Sequence, residues 1–127
     1  MSDANSLHNR AVWFDISSSN LERAAAFYRA VLDIDLHRSE FNGTAFYVLD
    51  HAGGNGGCLV RTDAPIVAGG VLLYLNVDGR IRNALSQVLR YGGSVIEPLR
   101  SIGPHGFRSV IQDCEGNRVA LHSNTDA

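Results

Sequence analysis

Near its end the chain carries Asp113-Cys114-Glu115-Gly116-Asn117, which reads as a tight turn, running into Arg118-Val119-Ala120-Leu121-His122, a final strand. A shorter echo lies one half-chain earlier, from Asp50 through Gly53, Gly54 and Asn55 to Cys58, Leu59 and Val60. The echo extends to residue pairs: Trp13 with Leu72, Asp15 with Tyr74, Gly43 with Gly106, Asp50 with Asp113, Asn55 with Asn117 and Cys58 with Ala120. An offset of roughly 60 positions is too long, and two copies too few, for an ordinary solenoid. Two halves folding around one shared cleft is the architecture that such a pattern predicts.

Each half reads as βαβββ. In the first, Ala11 to Ser17 alternates Val12, Phe14 and Ile16 with Trp13 and Asp15, as a strand with two different faces does. Ser19-Asn20-Leu21-Glu22 matches a capping box, and Leu21, Ala24, Ala25, Tyr28, Val31 and Leu32 form the apolar stripe of the helix it starts. Strands are predicted over Asp35 to Ser39, Thr44 to Leu49 and Gly57 to Arg61. The Gly-rich stretch from Asp50 to Gly56 is a hairpin loop, since no helix pattern follows to make it a phosphate cradle.

The expected organisation is one domain over 1–127, with a first module at 11–61, a linker at 62–70 and a second module at 71–122. In that second module Val71 to Val77 is a strand, and Asp78 stands where a helix N-cap belongs. Ile81, Ala84, Leu85, Val88 and Leu89 make the helical stripe, Gly92-Gly93 ends it, and strands follow at Ser94 to Arg100, Gly106 to Gln112 and Asn117 to His122.

Composition excludes several functions. The net charge is -2 and no basic block interleaves with aromatics, so an electrostatic footprint for nucleic acid is missing. Every cation is Arg, which removes Schiff-base chemistry by a lysine of this chain. Cys58 and Cys114 lack the paired spacing of a zinc or redox motif, no run has the length of a membrane span, and the polar start lacks the apolar core of a secretion signal. A soluble cytoplasmic protein is expected.

The chain resembles the vicinal-oxygen-chelate superfamily, which includes glyoxalase I, bleomycin-resistance proteins and extradiol dioxygenases. The matching residues are Ser19-Asn20-Leu21-Glu22-Arg23-Ala24, Phe27-Tyr28, Val31-Leu32, Tyr91-Gly92-Gly93 and the Asp113 to Asn117 turn, where Cys114 replaces the usual Pro. The resemblance implies an α+β fold of two βαβββ modules whose curved mixed sheets enclose a cleft, and commonly a homodimer. In metal-dependent members four inward side chains, typically His and Glu, hold a divalent ion. The positions that the resemblance assigns here are Trp13, Cys58, Leu72 and Ala120, of which only Cys58 offers a donor. No metal and no cofactor are therefore expected.

The face shared by Trp13 and Leu72 also carries Asp15, Tyr74, Asn76 and His122. A few placed polar groups among apolar walls is the composition of a ligand pocket, here for a small organic molecule. Trp13 is a stacking platform in that reading, and Cys58, Leu72 and Ala120 are wall. The alternative that the resemblance implies is a lyase, isomerase or dioxygenase, either metal-dependent or using Asp15 or His122 as base with Tyr74 as a hydrogen-bond donor. Alternatively, Asp15 and His122 pair with each other or with backbone and only fix the sheet. Arg100 and Arg108, flanking the His105 loop, either capture an anion or are simply solvated. His8, His37 and His51 are assigned no chemistry.

Overall fold

A computed structural model of the chain describes residues 10–127; His8 and nearly all of the polar start lie outside the described residues. The first half comprises β1 (Asp15–Ser18), α1 (Leu21–Leu32), β2 (Leu36–Phe41), β3 (Thr44–Leu49) and β4 (Cys58–Arg61). The second comprises β5 (Leu73–Asn76), α2 (Ile81–Arg90), β6 (Ser94–Ser101), a 3₁₀ turn (Gly103–His105), β7 (Phe107–Gln112) and β8 (Arg118–Ser123). Each half builds one four-stranded mixed sheet, in the orders β1-β4-β3-β2 and β5-β8-β7-β6. In both, the first strand of the half runs parallel to the last and the other neighbours are antiparallel.

The register carries the repeat into three dimensions. Asp15 pairs with Cys58 across β1 and β4, and their counterparts Tyr74 and Ala120 pair across β5 and β8. One rung on, Ile16 faces Leu59 and Leu75 faces Leu121, all four buried. Because successive side chains alternate between faces, these rungs set one face of each sheet against the core and leave Asp15, Tyr74 and Asn76 exposed on the other. The buried residues of both halves form one continuous cluster, including Phe27, Tyr28 and Val31 from α1 and Ile81, Ala84 and Val88 from α2.

Strands β1 and β5 are shorter than the alternation predicts. Each is paired along one edge only, and the partners β4 and β8 start at Cys58 and Arg118, so the ladder has nothing to bond to further upstream. The stretch ahead of β1 is held by its neighbours instead: the Cys58 amide donates to the Phe14 carbonyl at 2.9 Å, and the Asn55 side chain donates to that of Ala11. On α2, Leu89 sits at the margin of the stripe and is 62% exposed.

Both predicted helix starts form differently. At α1 the N-cap is Asn20, whose side-chain oxygen accepts from the Arg23 amide at 3.1 Å. Ser19 and Glu22 do not close a capping box: Glu22 accepts from the Tyr47 hydroxyl at 2.8 Å, and Ser19 turns to Glu115. The Glu115 carboxylate accepts from the Ser19 amide (2.7 Å), the Ser19 hydroxyl (2.7 Å), the Asn20 amide (3.1 Å) and the Arg23 guanidinium (2.7 Å). A residue of the second half thus does the work that a local Glu does in a capping box, and at the positive end of a helix its charge is favourable. At α2 the cap residue is Arg80, not Asp78. Gly79, at φ +78, turns the chain between them, and the Asp78 carboxylate accepts from the Asn124 amide at 2.6 Å, tying down the segment after β8.

The Asp113 to Asn117 turn completes the latch. Asp113 is buried and accepts from the Tyr28 hydroxyl at 2.6 Å and from the amides of Glu115 and Asn117 at 2.8 and 2.9 Å. The Asn117 side chain donates to the Ser17 carbonyl at the end of β1, at 2.7 Å. Buried polar groups are tolerable when so satisfied, and here the satisfaction joins the two halves.

Candidate functional site

Two cavities open where the halves meet. The larger, of about 380 Å3, has Phe14, Leu32, Ile34, Leu49 and Leu75 as apolar wall, with Asp50, His51, Asn55, Tyr74 and Asn76 as polar lining. Its sides come from the β3–β4 loop of the first half and from β5 of the second. The smaller, of about 250 Å3, lies beside Asp15, Asn117 and Arg118, with the linker residues Val67, Ala68 and Gly69 and with Val71 as further wall.

The residues predicted to share one pocket are divided between these places. Tyr74 and Asn76 line the larger cavity and Asp15 the smaller, while Trp13, Cys58, Leu72, Ala120 and His122 line neither. Trp13 borders the larger cavity indirectly, its indole set edge-on to the His51 ring with centroids 5.8 Å apart at 89°. Asp15 accepts a hydrogen bond from the Cys58 thiol at 3.1 Å. Burial, reinforced by the Asp15 carboxylate and opposed by Trp13, pushes that thiol up to about 11. A thiol so shifted is neither a ready nucleophile nor a ready metal ligand.

In the second half, Ala120 is fully buried beside Tyr74 on the neighbouring strand, and the His122 Nε2 donates to the His105 carbonyl at 2.6 Å. Asp15 and His122 therefore each spend a polar atom within their own half, Asp15 on the neighbouring strand and His122 on the turn before β7. The two arginines flanking the His105 loop converge on one carboxylate: Arg108 Nε lies 2.9 Å and Arg100 Nε 3.1 Å from the same oxygen of Glu97. Arg108 also donates to the Tyr74 hydroxyl and stacks its guanidinium 5.8 Å from that ring centroid. Glu97 is held below the usual carboxylate range by Arg108 first and then Arg100, with burial opposing. Arg108 is held above its ordinary value by Glu97 and Tyr74. Tyr74 keeps its own hydroxyl proton to donate, and Asn76, whose side-chain oxygen takes the Asp78 amide at 2.9 Å, keeps its NH2 group.

Most of the lining lies outside the residues that the sequence singles out, and two polar members of it are His51 and Arg118. His51, to which the sequence assigns no chemistry, lies on the loop that forms one side of the larger cavity. The one signal for it was its place at the start of the Gly-rich echo. Arg118 lines the smaller cavity with its Nε buried and without a hydrogen-bond partner, which no spacing in the sequence announces.

A divalent ion does not fit the positions at which metal-dependent members of the resembled family place ligands. Trp13, Leu72 and Ala120 carry no ligating atom, and Cys58 is shifted away from the thiolate. Among the described residues, no group of three or more His, Cys, Asp or Glu side chains is placed to hold an ion. Nor is any described helix long and apolar enough to cross a membrane.

A search of curated proteins finds no match to this chain. Solved structures share its fold at low identity. A glyoxalase/bleomycin resistance protein from Albidiferax ferrireducens superposes with a TM-score of 0.72 at 16% identity, over 89% of this chain and 97% of that one. The fosfomycin resistance protein FosX from Listeria monocytogenes, in complex with Mn(II) and 1S,2S-dihydroxypropylphosphonic acid, gives 0.69 at 13%, over 90% and 91%. A glyoxalase-related enzyme from Fulvimarina pelagi gives 0.67 at 15%, over 91% and 88%. The sequence profile that matches residues 10–121, nearly the full span of both modules, is that of the Glyoxalase/Bleomycin resistance protein/Dioxygenase superfamily, and the chain belongs to it.

Proposed function

We propose that this protein binds a small organic molecule without the help of a metal, in the cavity of about 380 Å3 between the β3–β4 loop and β5. The observation that carries the reading is the lining itself. Five apolar side chains supply the driving force for burying a ligand, and Tyr74, Asn76 and His51 supply the few polar contacts that orient it. Metal independence is supported by the residues at the family's ligand positions, where Trp13, Leu72 and Ala120 carry no ligating atom and the Cys58 thiol bonds Asp15. The free cysteines suit a cytoplasmic location. The exposed Trp13 (45%), Tyr74 (45%) and Val71 (90%) suit partial cover by a second copy in a homodimer.

The alternative, a lyase, isomerase or dioxygenase that is either metal-dependent or uses Asp15 or His122 as base, has less support, because only Cys58 of the family's ligand positions offers a donor and each candidate base already bonds within its own half. The test is thermal-shift screening of metabolites and aromatic antibiotics with and without chelator. A true ligand at about 100 times its Kd stabilises the fold by about 2.7 kcal/mol, and the shift is expected to survive chelation. A stoichiometric, tightly held divalent ion in protein purified without chelator would sink the metal-independent reading.

A further inference from the structure

Within the larger cavity, the His51 side chain is held by three neighbours. Its Nδ1 lies 2.8 Å from the Gly54 carbonyl, an oxygen that only accepts, so Nδ1 carries a proton and the neutral ring presents Nε2 as an acceptor. The ring packs so closely on Gly56 that a Cβ there would lie 2.4 Å from His51 Cδ2 and 2.6 Å from Cγ. On another side stands the edge-on Trp13 ring. A carbonyl, a bare glycine and an indole thus hold one imidazole in place at the wall of a cavity. Among the described residues, none donates a hydrogen bond to its Nε2.

The remaining polar groups of that wall are complementary. Tyr74 and Asn76, which line the same cavity, each keep a proton to donate, while Nε2 of the tautomer that Gly54 fixes is an acceptor. Asp50, the carboxylate of the lining, faces His37, whose Nε2 is 3.8 Å from it.

We propose that His51 is the ligand-orienting acceptor of this cavity, and that the molecules it selects are phenols or enols, whose hydroxyl donates to Nε2 while a second oxygen accepts from Tyr74 or Asn76. This rests on the reading of the cavity as the ligand site. An acidic hydroxyl is the strongest neutral donor a small apolar molecule can offer, and the apolar wall of Phe14, Leu49 and Leu75 suits a ring.

The test compares 4-nitrophenol with its methyl ether, 4-nitroanisole, which keeps the ring, the nitro group and the ether oxygen but has no hydroxyl proton to donate. Binding is followed by quenching of Trp13, the only tryptophan in the chain and a direct neighbour of His51. Wild-type protein is expected to bind the phenol about tenfold more tightly, the worth of one good hydrogen bond. In His51→Asn, whose amide can still donate to Gly54 but which lacks Nε2, that preference is expected to vanish while nitroanisole binding is unchanged. Should that variant not fold, His51→Phe serves in its place, and the wild-type preference is itself decisive. Equal binding of both probes to wild-type protein, or a preference that persists in the variants, overturns the role of His51 and leaves the cavity reading intact. Binding of neither probe overturns both.

Discussion

The loop from Asp50 to Gly56 and the turn from Asp113 to Asn117 occupy equivalent places in the two halves, and they have opposite fates. The second-half turn is spent on structure: Asp113 is buried under Tyr28, Glu115 caps α1, and Asn117 holds the end of β1. In the first half the side chains at the same place make no bond to the other half among the described residues, Asp50 and Asn55 pairing with His37 and Ala11 nearby, and His51 lines a cavity. The comparison teaches that one copy of a duplicated turn can fasten the halves together and so free the other copy to line a binding site.

The comparison breaks most visibly if Glu115 proves dispensable. Glu115→Ala removes four hydrogen-bond acceptances and the negative charge at the start of α1, and it is expected to cost about 2–4 kcal/mol. Urea unfolding measures this, with Asn55→Ala in the other loop as the control that loses well under half as much. Equal losses would mean that the two copies share one role.

A glycine pair sharpens the same contrast. A Cβ at Gly93, which ends α2, would lie 2.6 Å from the Gln112 carbonyl, 2.8 Å from Phe27 and 2.9 Å from Val88, whereas a Cβ at Gly53 would meet nothing within 4 Å. Gly93→Ala is expected to cost about 1–3 kcal/mol through overpacking. Gly53→Ala is expected to change stability by less than about 0.5 kcal/mol. Thermal melts of the two variants side by side give the comparison directly.

A smaller effect appears on acidification. Burial alone would raise the Glu115 carboxyl, but the Ser19 amide and hydroxyl, Arg23 and the Asn20 amide outweigh it and hold the group below the usual carboxylate range. Asp78 is held low as well, chiefly by the Asn124 amide against opposing burial. For a depressed carboxyl the stabilisation is complete above the unfolded value, about 4.3 for Glu, and is lost as pH falls through the folded value. Melting temperatures followed from about pH 7 to about pH 3 are expected to fall less steeply in Glu115→Gln than in the wild type. An identical slope would show that the latch does not titrate.

Much of the architecture was legible from local pattern. The alternation that separated Ile16 from Asp15, and Leu75 from Tyr74, placed the first of each pair in the core and the second on the open face. Helical spacing picked out Ala24, Ala25, Tyr28 and Val31, all buried. What spacing missed were partnerships across long separations. The local signal Ser19…Glu22 looked complete, yet Glu22 bonds Tyr47 and the cap is completed by Glu115, 96 positions from Ser19. The candidate site was legible only in part, since Tyr74 and Asn76 were read from the open face while His51 enters through a loop whose path no periodicity describes.

The sequence by itself therefore determined the duplication, the element order, the inward faces and the membership in the superfamily, because each follows from residue periodicity and short turn motifs. The tertiary structure alone decided that Glu115 caps a helix in the other half, that Asp15 and Tyr74 line different cavities and that His51 faces a cavity at all. Those outcomes depend on how two twisted sheets meet along one seam, and that meeting is set by the summed packing of both cores rather than by any local stretch of chain.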